Sequence, residues 1–151
     1  MPIKRLNNRS FSLSELMIAT LIFTLTFAGV ITVFFRCMEL SELARNTSAA
    51  LNACKSRIAS IEDTAFAQIL GTYNNTTFTA PNVNGIGVTY VTNPSANILQ
   101  VTTSFSWKEK NGRLMGEDSN LNGLLNAGED KNANGILDSP VKLTTYVYNT
   151  Q

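Results

Sequence analysis

Residues 10–35 read SFSLSELMIATLIFTLTFAGVITVFF, and this stretch decides the architecture of the chain. After Glu15 no charged residue occurs before Arg36, a gap of about twenty residues, which is the length that a helix needs to cross the hydrocarbon core of a bilayer. Three basic residues precede the stretch, which predicts that the N-terminus is cytoplasmic and that everything after Arg36 lies on the other side. A carboxylate inside such a segment is costly unless it finds a partner, so Glu15 is a candidate functional residue.

Composition bounds the remaining possibilities. The chain has 151 residues, a formal net charge of +1 and no histidine, which allows one modest globular domain beside the apolar segment. The outer part is close to charge-balanced, and this argues against nucleic acid as a partner. The usual nucleophile–base arrangements are missing, and we predict that the protein is not an enzyme. Cys37 and Cys54 fall in one predicted helix, about 25 Å apart, so we expect them to be free thiols.

A second helical pattern follows the apolar segment. Small and apolar residues recur every three or four positions between residues 36 and 71, which predicts a one-sided continuation of the same helix. No proline occurs between residues 11 and 70, and Gly71 stands where a left-handed C-terminal residue is expected. We therefore predict one helix of about sixty residues, roughly 90 Å long.

The remaining residues, 72–151, are rich in Asn, Thr, Gly and β-formers. Alternating patterns predict strands at 87–92, 98–107 and 141–148, and in the second of these one face is apolar from Leu99 to Trp107. The predicted fold is α+β, with a long N-terminal helix, apolar in its first half, packed on a small antiparallel sheet. We divide the chain into residues 1–10, a leader; 11–35, a transmembrane helix; 36–71, its amphipathic continuation; and 72–151, a sheet head with an insertion at 116–138.

The N-terminal segment resembles the prepilin signature. A short basic leader, the small residue Ser10, then Phe11, and an acid four residues later inside an apolar helix make up that signature. It is typical of the type IV pilin-like superfamily, which comprises pilins, minor pilins and type II secretion pseudopilins. The residue before the cut is usually Gly in that family. The proline that many type IV pilins carry in this helix is also absent, a feature closer to pseudopilins and some minor pilins.

The resemblance implies a function. A prepilin peptidase would cut between Ser10 and Phe11, and Phe11 would become N-methylated. In a filament Glu15 of one subunit would pair with the Phe11 ammonium of another. The implied protein is a structural subunit, minor rather than major, of a type IV pilus or type II secretion pseudopilus. Its partners would be other pilin-like subunits, the peptidase and an inner-membrane assembly platform. It would wait in the inner membrane with its head in the periplasm and then join a periplasmic or cell-surface filament.

The insertion contains a direct repeat, GEDSNLNGLL followed twelve residues later by GEDKNANGIL. Each unit carries D-x-N-x-N-G, the start of the EF-hand loop pattern, in which alternating oxygens surround a sharp glycine turn. The first loop, residues 118–129, offers the calcium ligands Asp118, Asn120, Asn122, the Leu124 carbonyl, Asn126 and the closing Glu129. The second loop, residues 130–141, offers Asp130, Asn132, Asn134, the Ile136 carbonyl and Asp138.

The second loop has Val141 at its twelfth position, so it lacks a closing Glu and is predicted to be the weaker site. Neither loop has flanking helices, and both resemble the repeated calcium loops of thrombospondin type 3 or dockerin modules. Two alternatives stay open at this point. The insertion could be a solvated Asn/Gly-rich turn that binds no ion. The protein could also be a membrane-anchored, calcium-dependent adhesin or binding module that never polymerises.

Overall fold

The computed structural model describes residues 12–149, which form an α+β fold with a long N-terminal helix and a five-stranded antiparallel sheet, as predicted. The predicted leader, with Ser10 and Phe11, lies outside the described residues. The elements are α1 (Leu13–Glu62), α2 (Phe66–Tyr73), β1 (Thr76–Phe78), β2 (Gly85–Ser95), β3 (Ile98–Lys108), β4 (Leu114–Met115) and β5 (Lys142–Tyr148).

The chain divides into two compact units, one ending at Ser41 and the other beginning at Glu42. Helix α1 contributes to both of them. In the first unit its large apolar side chains are exposed, whereas in the second unit α1 buries Asn46, Ala50, Cys54 and Ile61. We call the described part of the second unit, residues 42–149, the head.

The sheet of the head is built around β3. Strands β1, β2 and β3 are neighbours in that order, and β5 and β4 pair with different parts of the other edge of β3, all antiparallel. The apolar face predicted for β3 is confirmed, because the odd-numbered residues from Leu99 to Trp107 are all buried. Two clusters form the core, one with Ala50, Cys54, Ala80, Phe105, Trp107 and Val141, and the other with Ile61, Ile69, Val91, Leu99 and Val101.

The helix ends earlier than predicted. Helix α1 stops at Glu62, where the Thr64 hydroxyl donates to the Ser60 carbonyl (2.9 Å) and the Thr64 amide donates to the Ile61 carbonyl (3.0 Å). A separate helix, α2, then brings Ile69 into the same core cluster as Ile61. The prediction for Gly71 was also wrong, because Gly71 lies inside α2 and the left-handed residue after it is Asn75, at φ 56°.

The strands differ from prediction mainly at their limits. Strand β2 continues through Pro94 to Ser95, with a register shift between Thr92 and Ser95, whereas the predicted strand ended at residue 92. The short strands β1 and β4 were not predicted. Three residues and two residues are too few for a visible alternation, so these strands exist only because longer partners pair with them.

The second face of β3 is buried as well. The sequence predicted a half-buried strand, but Ser104 and Ser106, which alternate with the core residues, are each only 2% exposed. Gly116 and Leu137 of the insertion contact these serines, so the insertion packs on the face of the sheet opposite the helix. The head therefore has three layers: α1 with α2, the sheet, and the insertion.

Candidate functional site: the start of α1 and a duplicated loop

Glu15 takes part in a hydrogen-bonded cap at the start of α1. The Ser12 amide and hydroxyl both donate to Glu15 Oε2, at 2.9 and 3.1 Å, and the Glu15 amide lies 3.3 Å from Ser12 Oγ. This is a capping box, in which a serine at the N-cap and an acid three residues later satisfy each other's backbone donors. The spacing S-x-x-E, from Ser12 to Glu15, is the signal in the sequence for this cap. The pairing of Glu15 with Phe11 stays a prediction, because Phe11 is outside the described residues.

The apolar part of α1 has the character of a membrane helix. Among the described residues, one helix, α1, is long and apolar enough to cross a bilayer by length and composition. Its large apolar side chains between Leu16 and Phe35 are 39–67% exposed. Four threonine hydroxyls in this part donate to carbonyls three or four residues earlier, so their polar atoms are satisfied within the helix. A helix of this kind could anchor in a membrane.

The first loop is folded around its acidic side chains. Asp118, only 1% exposed, accepts hydrogen bonds from the amides of Asn122 (3.1 Å) and Gly123 (2.7 Å). Glu129, 4% exposed, accepts from the Ser119 amide and the Asn126 amide, both at 2.9 Å. Buried carboxylates are stable only when such donors surround them. The carboxylates at the first and twelfth positions of the predicted calcium loop therefore both accept from amides of residues 119–126.

Polar side chains of the first loop gather around the Asn126 side-chain amide. The side-chain oxygen of Asn126 accepts from the side-chain amides of Asn120 and Asn122, at 3.0 Å each. With the Asn126 amide turned over, its NH2 group donates to the Leu124 carbonyl (3.0 Å) and to Glu129 Oε2 (3.3 Å). These five residues are also predicted calcium ligands.

The second loop repeats the geometry of the first. Asp130 accepts from the amides of Asn134 (3.0 Å) and Gly135 (2.8 Å), as Asp118 does from their counterparts. Asp138 accepts from the side-chain amides of Asn132 (2.6 Å) and Asn134 (2.8 Å), in the place that Asn126 occupies in the first loop. The Ile136 amide donates to the Asn134 side chain (3.0 Å), as the Leu124 amide does to Asn122 in the first loop. The carbonyls of Ile136 and Leu124 are the predicted ligands at the seventh position. Asp138 also forms an ion pair with Lys142 (2.7 Å).

One acid that the sequence analysis did not assign, Glu117, links the two loops. Its Oε1 accepts from the Lys131 amide (3.2 Å) and its Oε2 accepts from the Asp138 amide (2.9 Å). The signal that could have found it is the repeat itself, because Glu117 and Glu129 stand at the same place in the two GED triplets.

The insertion is attached to the sheet through a few specific contacts. The Leu137 side chain is fully buried, its amide donates to the Tyr90 hydroxyl (3.0 Å), and its carbonyl accepts from the Ser104 hydroxyl. A Cβ added to Gly123, at φ 73°, would meet the Thr77 side chain at 2.3 Å, so only glycine permits this approach. The loops thus lie against a rigid surface.

The ionisation of the insertion follows from these contacts. The hydrogen bond from the Ser119 hydroxyl is the main reason why the pKa of Glu129 lies below its usual value. Burial acts to raise the pKa of Asp138, but hydrogen bonds from Lys142 and two asparagines outweigh it, and the pKa is lowered. Burial raises the pKa of Tyr90, and three nearby carboxylates add to the effect. Glu129 and Asp138 are therefore ionised at neutral pH.

The donor set suits a hard cation. Carboxylate, amide and carbonyl oxygens are the ligands that calcium prefers, and each loop offers them at alternating positions around a glycine turn. Within residues 12–149 no three His, Cys, Asp or Glu side chains lie together as a metal-binding group, so most of the oxygens available here are neutral. Residues 116–138 contain five carboxylates and one lysine, a charge imbalance that a divalent ion would reduce.

Comparisons of the chain with protein-family models, with curated proteins and with solved structures find no match.

Proposed function

We propose that this protein is a minor structural subunit of a type IV pilus or type II secretion pseudopilus. The observation that carries the proposal is the exposed apolar start of α1, preceded in sequence by a basic leader, Ser10 and Phe11 and containing a single acid. Helix bundling with other pilin-like subunits would bury this surface, first in the inner membrane and then in a filament. The continuous course of α1 into the core of the head supports this role, because one element would serve both assembly and folding.

Glu15 would guide assembly in this proposal. Cleavage after Ser10 by a prepilin peptidase would create a positive amino group on Phe11, and Glu15 of another subunit would pair with it. In an apolar bundle an unpaired carboxylate is heavily penalised, so such a pair would set the axial register of the subunits. In the single subunit the Ser12 amide and hydroxyl hold the Glu15 side chain at the start of the helix.

The capping box gives a matched pair of variants. Ser12→Ala removes the cap and leaves the acid, whereas Glu15→Gln keeps a hydrogen-bonding side chain and removes the charge. If Glu15 acts in assembly, we expect Glu15→Gln to abolish incorporation into filaments in the native host and Ser12→Ala to preserve it. Equal loss in the two variants would mean that Glu15 serves only the helix start.

Processing separates this function from the alternative of a membrane-anchored adhesin or binding module that does not polymerise. We expect the mature protein from the native membrane to have an intact mass that begins at Phe11 and includes one added methyl group. A retained leader, or a cut beyond residue 35, would contradict the filament proposal and favour the anchored module.

We also propose that calcium binds the two loops and stabilises the head. The burial of the Asp118 and Glu129 carboxylates supports this, as does the D-x-N-x-N-G pattern that both loops share. The ion would supply positive charge at the centre of each loop, and the loop residues would hold it and order the insertion on the sheet. Few carboxylates per loop indicate weak affinity, about 10⁻⁴–10⁻³ M, which suits extracellular calcium.

A further inference from the structure

In each loop of the insertion, one glutamate accepts hydrogen bonds from the same two backbone positions. In the first loop, Glu129 accepts hydrogen bonds from the amides at the second and ninth positions, Ser119 and Asn126. In the second loop, the amides at the same two positions belong to Lys131 and Asp138, and both donate to Glu117. Glu117 therefore holds, relative to the second loop, the place that Glu129 holds relative to the first.

The twelfth position of the second loop has a different task. Val141 is 4% exposed and packs in the core cluster with Phe105 and Trp107, immediately before β5. A carboxylate there would be buried among apolar side chains without hydrogen-bond donors, which is strongly unfavourable. The fold thus requires an apolar residue where the loop pattern requires an acid, and a closing acid must come from elsewhere.

Resting on the calcium sites proposed above, we propose that Glu117 is the closing carboxylate of the second loop, supplied from just before the first loop. Each loop is then completed by the acid of a GED triplet, and the two sites share one continuous piece of backbone. Glu117 and Asp118 are then adjacent residues that hold different ions, and the second site is complete.

The proposal predicts which substitutions affect calcium binding together. If Glu117 serves the second loop, its effect on calcium binding must depend on Asp130, the first residue of that loop. It must not depend on Asp118, although Asp118 is adjacent to Glu117 in the sequence. Substitutions within one site are non-additive, whereas substitutions in separate sites add. Glutamine is the suitable replacement, because its side-chain oxygen still accepts a backbone hydrogen bond while the charge is lost.

The experiment is a calcium titration of the full-length chain in detergent, after chelation, with bound calcium counted by flow dialysis. We expect two ions for the parent and one for Glu117→Gln, with affinity for the lost ion reduced about tenfold or more. Adding Asp130→Asn to Glu117→Gln should remove nothing further, whereas adding Asp118→Asn should remove the remaining ion. Glu62→Gln, at an exposed acid on α1, is the matched control and should keep both ions.

Three results would overturn the inference. Two ions bound by Glu117→Gln with parental affinity would show that Glu117 closes neither loop, while the calcium proposal would stand. Coupling of Glu117 to Asp118 instead of Asp130 would assign it to the first loop. No calcium bound by the parent chain would overturn both this inference and the calcium proposal. If Glu117 had only a structural role, Glu117→Gln would lower the stability of the head in chelator. It would not then produce the specific loss of one ion together with the dependence on Asp130.

Discussion

Leu137 provides a direct test of whether the insertion is a folded layer of the head. Its side chain is fully buried, although it belongs to a stretch of Asn, Gly and Asp residues. Leu137→Ala removes that side chain and leaves the backbone hydrogen bonds to Tyr90 and Ser104 in place. A fully buried leucine replaced by alanine costs about 3–5 kcal/mol. We expect a value near the lower end, about 3 kcal/mol, because the insertion lies at the surface and can relax partly.

The control is Leu124→Ala in the same insertion. Leu124 is 61% exposed, and its predicted role uses only its backbone carbonyl, so the substitution should change the unfolding free energy by about 0.5 kcal/mol or less. Urea unfolding of the full-length chain in detergent can be followed through Trp107, the only tryptophan, which is fully buried in the head core. For a unit of this size, 3 kcal/mol corresponds to about 13 °C in melting temperature. If both variants unfold at the same urea concentration, the insertion does not contribute to the folded head as described.

Three further predictions concern the insertion. Millimolar calcium should raise the melting temperature of the head, and Asp118→Ala combined with Glu129→Ala should remove most of that shift in differential scanning fluorimetry; an undiminished shift would place the ion elsewhere. In chelator, the free energy of unfolding should be highest near neutral pH and should decrease below about pH 5, because the lowered pKa values of Glu129 and Asp138 mean that folding favours their ionised forms. A melting temperature that does not change between pH 7 and pH 3 would contradict this. Gly116→Ala should destabilise the head more than Gly112→Ala. Both glycines have positive φ, but only at Gly116 would a Cβ meet a serine side chain of β3, at 2.2 Å. Equal urea midpoints for the two variants would contradict the close contact between Gly116 and β3.

Much of the fold could be predicted because it follows from local periodicity. The alternation from Leu99 to Trp107 predicted β3 and the face that packs on the helix, and the apolar run before Arg36 predicted the exposed start of α1. The end of α1 could not be predicted from the same evidence. No proline or glycine stands near Glu62, and the chain turns there because Ile69 packs beside Ile61, which is a tertiary contact.

The candidate site shows a similar division. The repeat predicted which side chains gather within each loop, because an Asx-rich loop makes its hydrogen bonds between residues close in sequence. It did not predict the contact of Glu117 with Lys131 and Asp138, which joins residues up to twenty-one positions apart. Nor did it predict that Ser104 and Ser106 would be covered, since alternation within a strand cannot reveal what lies on its polar face.

The order of the insertion cannot come from apolar burial. Fixing one backbone residue costs about 1–2 kcal/mol, and residues 116–138 contain no regular secondary structure. Leu137 is the only large apolar side chain that this segment buries fully, and one leucine contributes about 1.5–3 kcal/mol. The ordering must therefore rest on polar contacts, and those contacts converge on Asp118, Glu129, Glu117 and Asp130. These carboxylates also repel one another, and a bound cation would reduce that repulsion while leaving the backbone hydrogen bonds in place.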